Sequence, residues 1–234
     1  LETLDGLLKH NGPIKDLSIV KKLIGLKNFK KKINFKNSGS LEAQISAISD
    51  DIAYNNHDIQ DGIRAKMFNL DDLIEINFFK DIYKSNKKNI KTNNKDILIY
   101  QLIRDSIDLM VSDLIKNTKD NIKMNGSKSL KHIFQLNEPV VCFSNKFLII
   151  EKEIRHFLRS KMYNNKKVLL KNNHGKKIVR NLFNIIKCTP TKFLTKDKLK
   201  KDSNRAIADF ISGMTDRYAI NLHKGIKWTF LIFI

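Results

Sequence analysis

Residues 41–68, with the sequence LEAQISAISDDIAYNNHDIQDGIRAKMF, decide the fold of this chain. The spacing predicts one long amphipathic helix, because a rotation of about 100° per residue gathers its isoleucines into one narrow stripe. That stripe holds Ile45, Ile48, Ile52, Ile59 and Ile63. Ser40 stands where an N-cap is needed, and Gln44 is well placed behind it. We expect the stripe to face a core.

Further helices are predicted before and after this one, separated by polar or proline-bearing loops. The first contains Leu1, Leu4, Leu7 and Leu8. It ends at the Asn-Gly-Pro sequence of residues 11–13, and a basic connector follows over 14–40. Later helices are expected over 96–123, 145–163, 176–186 and 204–222. The last of these places on one side Ile207, Ile211, Met214 and Tyr218. The Lys- and Asn-rich stretches 84–95 and 164–177 are expected to be exposed loops.

The composition also favours an all-α protein. The 234 residues are 41% hydrophobic and include only 9 Gly and 3 Pro, fewer turn formers than an all-β or α/β protein usually needs. A formal charge of +20 attracts phosphate groups. Lys, Asn and Ile are frequent throughout the chain, however, so a general bias in amino-acid composition explains much of this charge. Cys142 and Cys188 have neither metal-ligand nor disulfide spacing and are expected to be core thiols. The sequence shows neither a signal-peptide pattern nor an apolar stretch long enough to span a membrane, and it therefore predicts a soluble, cytoplasmic protein.

A polar face lies roughly opposite the isoleucine stripe of the long helix. Asp50, Tyr54 and Asp58 are spaced four residues apart and therefore share this face. A solvated charged face is the ordinary explanation for acids on a helix. Two features weaken the interpretation as a solvated face. An aromatic residue lies between two carboxylates, and the small residues Ala43 and Ala47 lie beside them. Since carboxylates bind hard metals and accept hydroxyl hydrogen bonds, while a phenol packs on a sugar, we expect one nucleotide-shaped cavity here.

Five blocks of the sequence carry a resemblance to a known family. In chain order they are LETLDGLLKHNGP, SLEAQISAISDDIAYNNHDIQDGIRA, LMVSDLI, FLRSKMY and ADFISGMTDRYA. They span nearly the whole chain and resemble successive blocks of the bacterial dGTPase-like triphosphohydrolases in the His-Asp domain superfamily. The second and the last block are highly specific. The resemblance implies an all-α, irregular multi-helix His-Asp phosphohydrolase fold. Proteins of this family are often oligomeric, and they hydrolyse a dNTP such as dGTP to the deoxynucleoside and triphosphate.

The resemblance also implies roles for particular residues. By its place in the SDDIAYN block, Asp50 matches the family's distant metal-binding aspartate, with Mg²⁺ or Mn²⁺ as the metal. Tyr54 matches the residue against the deoxyribose, Asp58 the one that reads the 3′-hydroxyl, and Lys9 a lysine that meets the triphosphate. The implied chemistry is attack of water on the α-phosphorus with metal assistance. Asp51 points about 100° away from Asp50 and is not expected to be the ligand.

The other metal ligands of the family are not found in this sequence. The first histidine, the His-Asp pair and a further catalytic histidine lie upstream of the LETLDGLLKHNGP block, and the dipeptide His57-Asp58 is a coincidence. The chain is therefore expected to be the C-terminal portion of such a protein, without catalytic residues and inactive alone. The expected domains are 1–123, the rest of the catalytic domain; 124–223, a helical region packed on it; and 224–234, an atypical apolar tail.

Other interpretations of the sequence remain open. A basic helical module that binds single-stranded nucleic acid fits the net charge and the interspersed Phe and Tyr residues. A non-catalytic remnant of a decayed or split gene fits the apolar run WTFLIFI at 228–234. Of the remaining residues near the predicted site, His10 lies beside it, and Arg155 is either a phosphate ligand or an ordinary solvated arginine.

Overall fold

Helices make up all the regular structure that is described. A computed structural model describes residues 2–18, 20, 34–90, 94–126, 129–136, 138–200 and 202–231, with side chains up to residue 226. The α-helices are α1 (Glu2–Leu8), α2 (Leu41–Arg64), α3 (Leu70–Leu73), α4 (Asn77–Asn89), α5 (Lys95–Met124), α6 (Leu130–Gln135), α7 (Asn145–Leu158), α8 (Lys166–Cys188), α9 (Lys196–Leu199), α10 (Ser203–Ser212) and α11 (Asp216–Leu231). A π-helical turn at Arg159–Tyr163 follows α7, and a 3-10 helix at Pro190–Lys192 follows α8. The predicted all-α fold is confirmed.

The chain divides into two compact units, Leu1–Met162 and Tyr163–Ile234. This division differs from the predicted domain limits of 1–123, 124–223 and 224–234, which concern the domains of the family and stay a prediction. The apolar run at 228–234 falls outside the side chains that the structure describes, and so does most of the predicted connector over 14–40.

The first unit is built around α2. Ser40 caps it, since its Oγ accepts a hydrogen bond from the Ala43 backbone N–H at 3.3 Å. Ile52 and Ile59 are buried in a core shared with α4, α5 and α7, and Ile48 and Ile63 pack against that core. Ile45 is an exception. Its side chain is 47% exposed, because no described element covers the start of the stripe.

Gln44 has a different role from the predicted one. Its Oε1 accepts hydrogen bonds from the backbone N–H groups of Val140 and Val141, at 2.9 and 3.1 Å, and its Nε2 donates to the Gly39 carbonyl at 2.9 Å. It thus ties the beginning of α2 to the extended stretch before α7. The burial of Val140 and Val141 requires that their N–H groups find such a partner.

Both predicted loops contain helix. The loop expected over 84–95 is in part the end of α4, because Phe79, Ile82 and Asn86 bury one side of that helix and hold it to Asn89. The loop expected over 164–177 is the first half of α8, which begins after an Asn165 cap. Lysine is a good helix former, so a lysine-rich stretch without core residues still extends a helix that is anchored further along.

The second unit packs α8, α10 and α11 around a small core of Ile178, Leu182, Ile186, Leu194, Ile207 and Ile211. The helix expected over 204–222 is two helices, since α10 ends with Gly213 and α11 begins at Asp216. The break turns Tyr218 away from the side predicted for it, and its side chain is 52% exposed. Cys188 is exposed and Cys142 partly buried, so neither is the core thiol that the sequence predicts.

Candidate functional site

Small residues let the end of α1 approach the first turns of α2. A Cβ atom added to Gly6 or Gly39 would lie 3.2 or 3.3 Å from the Ala43 Cβ, tighter than ordinary van der Waals contact. Gly6 and Gly39 therefore allow a close crossing that larger side chains would separate. The crossing brings His10, two residues after the end of α1, to Asp50 on the polar face of α2.

Asp50 and His10 meet at this crossing. The His10 Nε2 lies 3.8 Å from the Asp50 Oδ2, and the two side chains are 44% and 60% exposed. This separation is longer than a hydrogen bond. A carboxylate oxygen and an imidazole nitrogen are two donors of the types that metals bind, and both face open space rather than a core.

Tyr54 and Asp58 lie one and two turns further along α2. The Tyr54 side chain is 66% exposed, whereas Asp58 is partly buried. The four-residue spacing in a continuous helix places Asp50, Tyr54 and Asp58 on one side of it. None of the three side chains lines any of four cavities formed by described residues. Asp50 and Tyr54 are exposed and Asp58 is partly buried, and a cavity shared by the three stays a prediction.

Lys9 is the buried member of the predicted set. Its side chain is 3% exposed, and its Nζ lies 2.7 Å from the Asp5 Oδ1 one turn earlier. The same ammonium lies 3.5 Å from the Ser38 carbonyl oxygen and 5.9 Å from the centre of the Phe134 ring. A buried ammonium needs such partners to offset its lost hydration. Asp5 was not among the predicted site residues, although its spacing of four residues from Lys9 is typical of such a pair.

Asp51 and Arg155 belong to a different interaction. The Arg155 Nη2 donates to the Asp51 Oδ2 at 2.9 Å, and its Nε donates to Glu151, which is buried. The contact with Asp51 joins α2 to α7, at a position about 100° around α2 from Asp50. Asp51 and Arg155 thus have partners within the chain, and the interpretations of Asp51 as a non-ligand and of Arg155 as an ordinary solvated arginine stay predictions.

The described residues do not complete a metal site. No group of three or more His, Cys, Asp or Glu side chains within that part of the chain is arranged to hold an ion. His57 is exposed beside Asp58 and joins no such group. Asp50 and His10 are two donors, fewer than the roughly four to six ligands of a catalytic metal. Separately, none of the described helices is long and apolar enough to span a membrane.

Comparison with known proteins adds a family match. Residues 141–225 match the model of a phosphohydrolase-associated domain. The chain is 80% identical over 226 residues to a deoxyguanosinetriphosphate triphosphohydrolase-like protein of Pelagibacter ubique, an alignment that covers 97% of this chain and 61% of that protein.

Two more distant relatives carry the same name. The protein of Bartonella henselae is 35% identical, over 95% of this chain and 58% of its own length. The protein of Rickettsia prowazekii is 33% identical, over 94% of this chain and 58% of its own length. The chain therefore spans about three fifths of the length of the curated relatives that it matches.

Proposed function

The chain belongs to the dGTPase-like triphosphohydrolase family of His-Asp phosphohydrolases, and from this premise we propose that its α2 helix forms one wall of a dNTP triphosphohydrolase site. The phosphohydrolase-associated match at 141–225 is consistent with the C-terminal portion of the family. In the proposed reaction a dNTP, with dGTP the first candidate, yields the deoxynucleoside and inorganic triphosphate. Proteins of this family generally use divalent metals.

The main support for this proposal is the approach of His10 to within 3.8 Å of Asp50 on an exposed face of α2. The same face continues to Tyr54 and Asp58. A solvated helix face would account for the acids, but it does not account for the exposed Tyr54 ring between two carboxylates or for the approach of His10 to Asp50. Asp50 and Tyr54 present their side chains outward. We propose that this face is covered by the part of the family protein that this chain does not span, and that the remaining metal ligands come from there.

Each residue then has a binding task. Asp50 supplies one carboxylate ligand to Mg²⁺ or Mn²⁺. Tyr54 packs its ring on the deoxyribose, and Asp58 accepts a hydrogen bond from the 3′-hydroxyl. Because the residues that the structure describes do not complete the metal site, these tasks concern binding and orientation, and hydrolysis is proposed to belong to the longer protein. By itself the chain is proposed to be inactive.

Lys9 fits the proposal under one condition. Its ammonium is paired with Asp5 at 2.7 Å, so contact with the triphosphate requires that a phosphate oxygen replace or share that carboxylate. A triphosphate carries more negative charge than a single carboxylate and draws the lysine more strongly.

The proposal can be tested with a chimera that joins this chain to the part of the Pelagibacter ubique relative outside the alignment. We expect the chimera to release triphosphate, rather than phosphate or pyrophosphate, from dGTP with Mn²⁺, as resolved by ³¹P NMR. Tyr54→Ala and Asp58→Asn should raise KM for dGTP, by about tenfold or more for each lost contact. Release of single phosphates, or KM values unchanged in both variants, would refute the assignment. The alternative of a single-stranded nucleic-acid module stays a prediction of the sequence.

A further inference from the structure

A cavity of the first unit lies outside the proposed hydrolytic site. It is formed between α4, α5 and α7, has a volume of about 730 Å³ and is here called the acidic groove. Its floor is apolar, with Ile82 and Ile150 buried and Phe78 and Phe147 partly buried. The rings of Phe78 and Phe147 pack edge to face, with their centroids 5.8 Å apart. The acidic groove can therefore receive an apolar group of a ligand.

The rim of the acidic groove is negative, although the chain has a net charge of +20. Four carboxylates line it, those of Asp81, Asp105, Asp108 and Glu153. Lys146 is the one cation among the described lining residues. Asp105 accepts a hydrogen bond from the Gln101 Nε2 at 2.7 Å, whereas the other three carboxylates form neither an ion pair nor a hydrogen bond within the described part of the chain. Three unpaired carboxylates favour a positively charged occupant.

A buried amide in the same lining lacks a partner. Asn86, on α4, is 7% exposed, and its Nδ2 has no hydrogen-bond partner among the described residues. Among the described residues with such an atom, it alone lines any of the four cavities. A buried donor without an acceptor is costly and rare in native proteins. Solvated acids on a helix surface do not account for it, whereas a carbonyl oxygen of a ligand would supply the missing acceptor.

The three features of the acidic groove each select one part of an occupant. The rim pairs with ammonium or guanidinium groups, the floor takes an apolar side chain, and the Asn86 amide donates to a carbonyl oxygen. A peptide segment with basic residues beside apolar ones has all three parts, because its backbone supplies the carbonyl. An aliphatic polyamine has no carbonyl, and the rim would repel the phosphates of a nucleic acid.

We propose that the acidic groove binds a short peptide segment of another protein that carries basic residues next to apolar ones. A basic side chain of the peptide pairs with Asp108 or Glu153, and an apolar side chain lies on the rings of Phe78 and Phe147. One backbone carbonyl of the peptide accepts a hydrogen bond from the Asn86 Nδ2. This binding does not depend on whether the longer protein hydrolyses a nucleotide.

Isothermal titration calorimetry of the full chain provides the test. The probe is a short peptide of lysine and leucine with an acetylated and an amidated end. We expect one peptide to bind per chain, with a Kd that rises as ionic strength rises. Spermine should bind at least about tenfold more weakly, because it offers the cations without the carbonyl and the apolar side chains. The same peptide with glutamate in place of lysine should not bind.

Variants of the rim test the charge pairing. Asp108→Asn with Glu153→Gln should raise the Kd of the peptide at least about tenfold, because two carboxylates of the rim lose their charge. The matched control is Asp96→Asn with Asp120→Asn, which removes the same charge at two exposed positions of α5 outside the acidic groove. In the control the Kd should stay within about twofold of the original. Circular dichroism verifies that every variant keeps its helical content.

The variant Asn86→Leu separates peptide binding from stability. Leucine is close to asparagine in size but has no donor, so the Kd of the peptide should rise about fivefold, as expected for one lost hydrogen bond. Without peptide, the midpoint of urea denaturation should not fall, because an amide without a partner contributes no hydrogen bond to the fold. A clear fall of that midpoint would show that the amide is satisfied inside the protein, against the proposal.

Four further outcomes would overturn the proposal. The peptide fails to bind; the rim variant binds it as tightly as the original; the control variant loses binding as strongly as the rim variant; or spermine binds as tightly as the peptide, in which case the ligand is a small polyamine. The chimera described above should also bind the peptide. Loss of binding in the folded chimera would contradict the proposal, because the longer family protein would then cover the acidic groove itself.

Discussion

The His10 Nε2 lies 3.8 Å from the Asp50 Oδ2 across the crossing of α1 and α2. Forty residues separate the two along the chain, and the Asn-Gly-Pro sequence and the glycines at the crossing bring them together. Two donors are fewer than the roughly four to six ligands of a catalytic metal, so this pair does not suffice to hold an ion by itself.

The first prediction concerns the metal affinity of the chain alone. Because Asp50 and His10 are its two donors at the crossing, we expect Mn²⁺ to bind there with a Kd no tighter than about 0.1 mM. Electron paramagnetic resonance of free Mn²⁺ measures this directly, with Asp50→Ala as the matched variant. Micromolar binding that Asp50→Ala abolishes would show that the chain holds a complete site.

The second prediction concerns the exposed face of α2. Tyr54→Ala should change the free energy of unfolding of this chain by no more than about 0.5 kcal/mol, because an exposed side chain makes few contacts. Ile59→Ala, in the next turn and fully buried, should cost about 2–5 kcal/mol. Urea denaturation followed by circular dichroism compares the two. A comparable loss in both variants would mean that Tyr54 is packed within the chain.

The third prediction concerns Gly62, near the end of α2. A Cβ atom at this position would lie 2.2 Å from the Phe68 Cε1. Phe68 has little freedom to move, since its ring packs edge-on against Phe157 at a centroid distance of 4.8 Å. Gly62→Ala should therefore destabilise the protein by about 1–3 kcal/mol.

Gly175 provides the matched control, because it is exposed within α8 and nothing lies within 4 Å of a Cβ added there. Gly175→Ala should stabilise the protein by up to about 1 kcal/mol. In a Phe68→Ala background, Gly62→Ala should lose its cost. Thermal denaturation of all variants measures these differences, and an undiminished cost without the Phe68 ring would contradict the explanation.

The fourth prediction concerns the pH dependence of the Asp72–Lys161 ion pair, whose Oδ1 and Nζ atoms are 2.9 Å apart. The backbone N–H of Asn69 and the ammonium of Lys161 lower the pKa of Asp72 from its ordinary 3.8, and the pair raises the pKa of Lys161 from 10.5. The depressed carboxyl pKa contributes stability above pH 3.8, which is lost as pH falls through the folded-state pKa. The raised lysine pKa contributes stability below pH 10.5, which is lost as pH rises through the folded-state value.

Lys161→Met removes one of these causes. The pKa of Asp72, followed by carboxyl ¹³C NMR, should move upward toward 3.8 but stay below it, because the Asn69 N–H still donates to the carboxylate at 2.9 Å. Lys152→Met, an exposed lysine on α7 outside this pair, should leave that pKa unchanged. An unchanged Asp72 pKa in Lys161→Met would contradict the assigned cause.

Sequence periodicity predicted the long helices because their core residues recur with the helical period. The isoleucines of α2 and the cap at Ser40 were sufficient to place that helix, and its end at Arg64 rather than residue 68 reflects the turn that Phe68 makes onto Gly62. The first half of α8 was missed because its lysines and asparagines have no core partner, and a helix held only from one end leaves no apolar pattern.

The same helical periodicity predicted part of the arrangement of the candidate site residues. Four-residue spacing was enough to put Asp50, Tyr54 and Asp58 on one side of α2. The burial of Lys9 and its pairing with Asp5 depend on the approach of Ser38 and Phe134 from distant parts of the sequence, which periodicity does not contain. Similarly, the contact of Arg155 with Asp51 joins residues 104 positions apart.

The most direct measurement is kcat/KM for triphosphate release from dGTP by the chimera with the Pelagibacter ubique relative, with Asp50→Ala compared with its neighbour Asp51→Asn. Asp51 is bound to Arg155 and faces away from the proposed site, so its variant should stay within a few-fold of the parent. We expect Asp50→Ala to lose at least about a thousandfold, since removal of one group that stabilises the reacting phosphate costs about 10²–10³ and Asp50 would also hold the metal. Turnover in Asp50→Ala equal to that of the parent chimera would contradict the account.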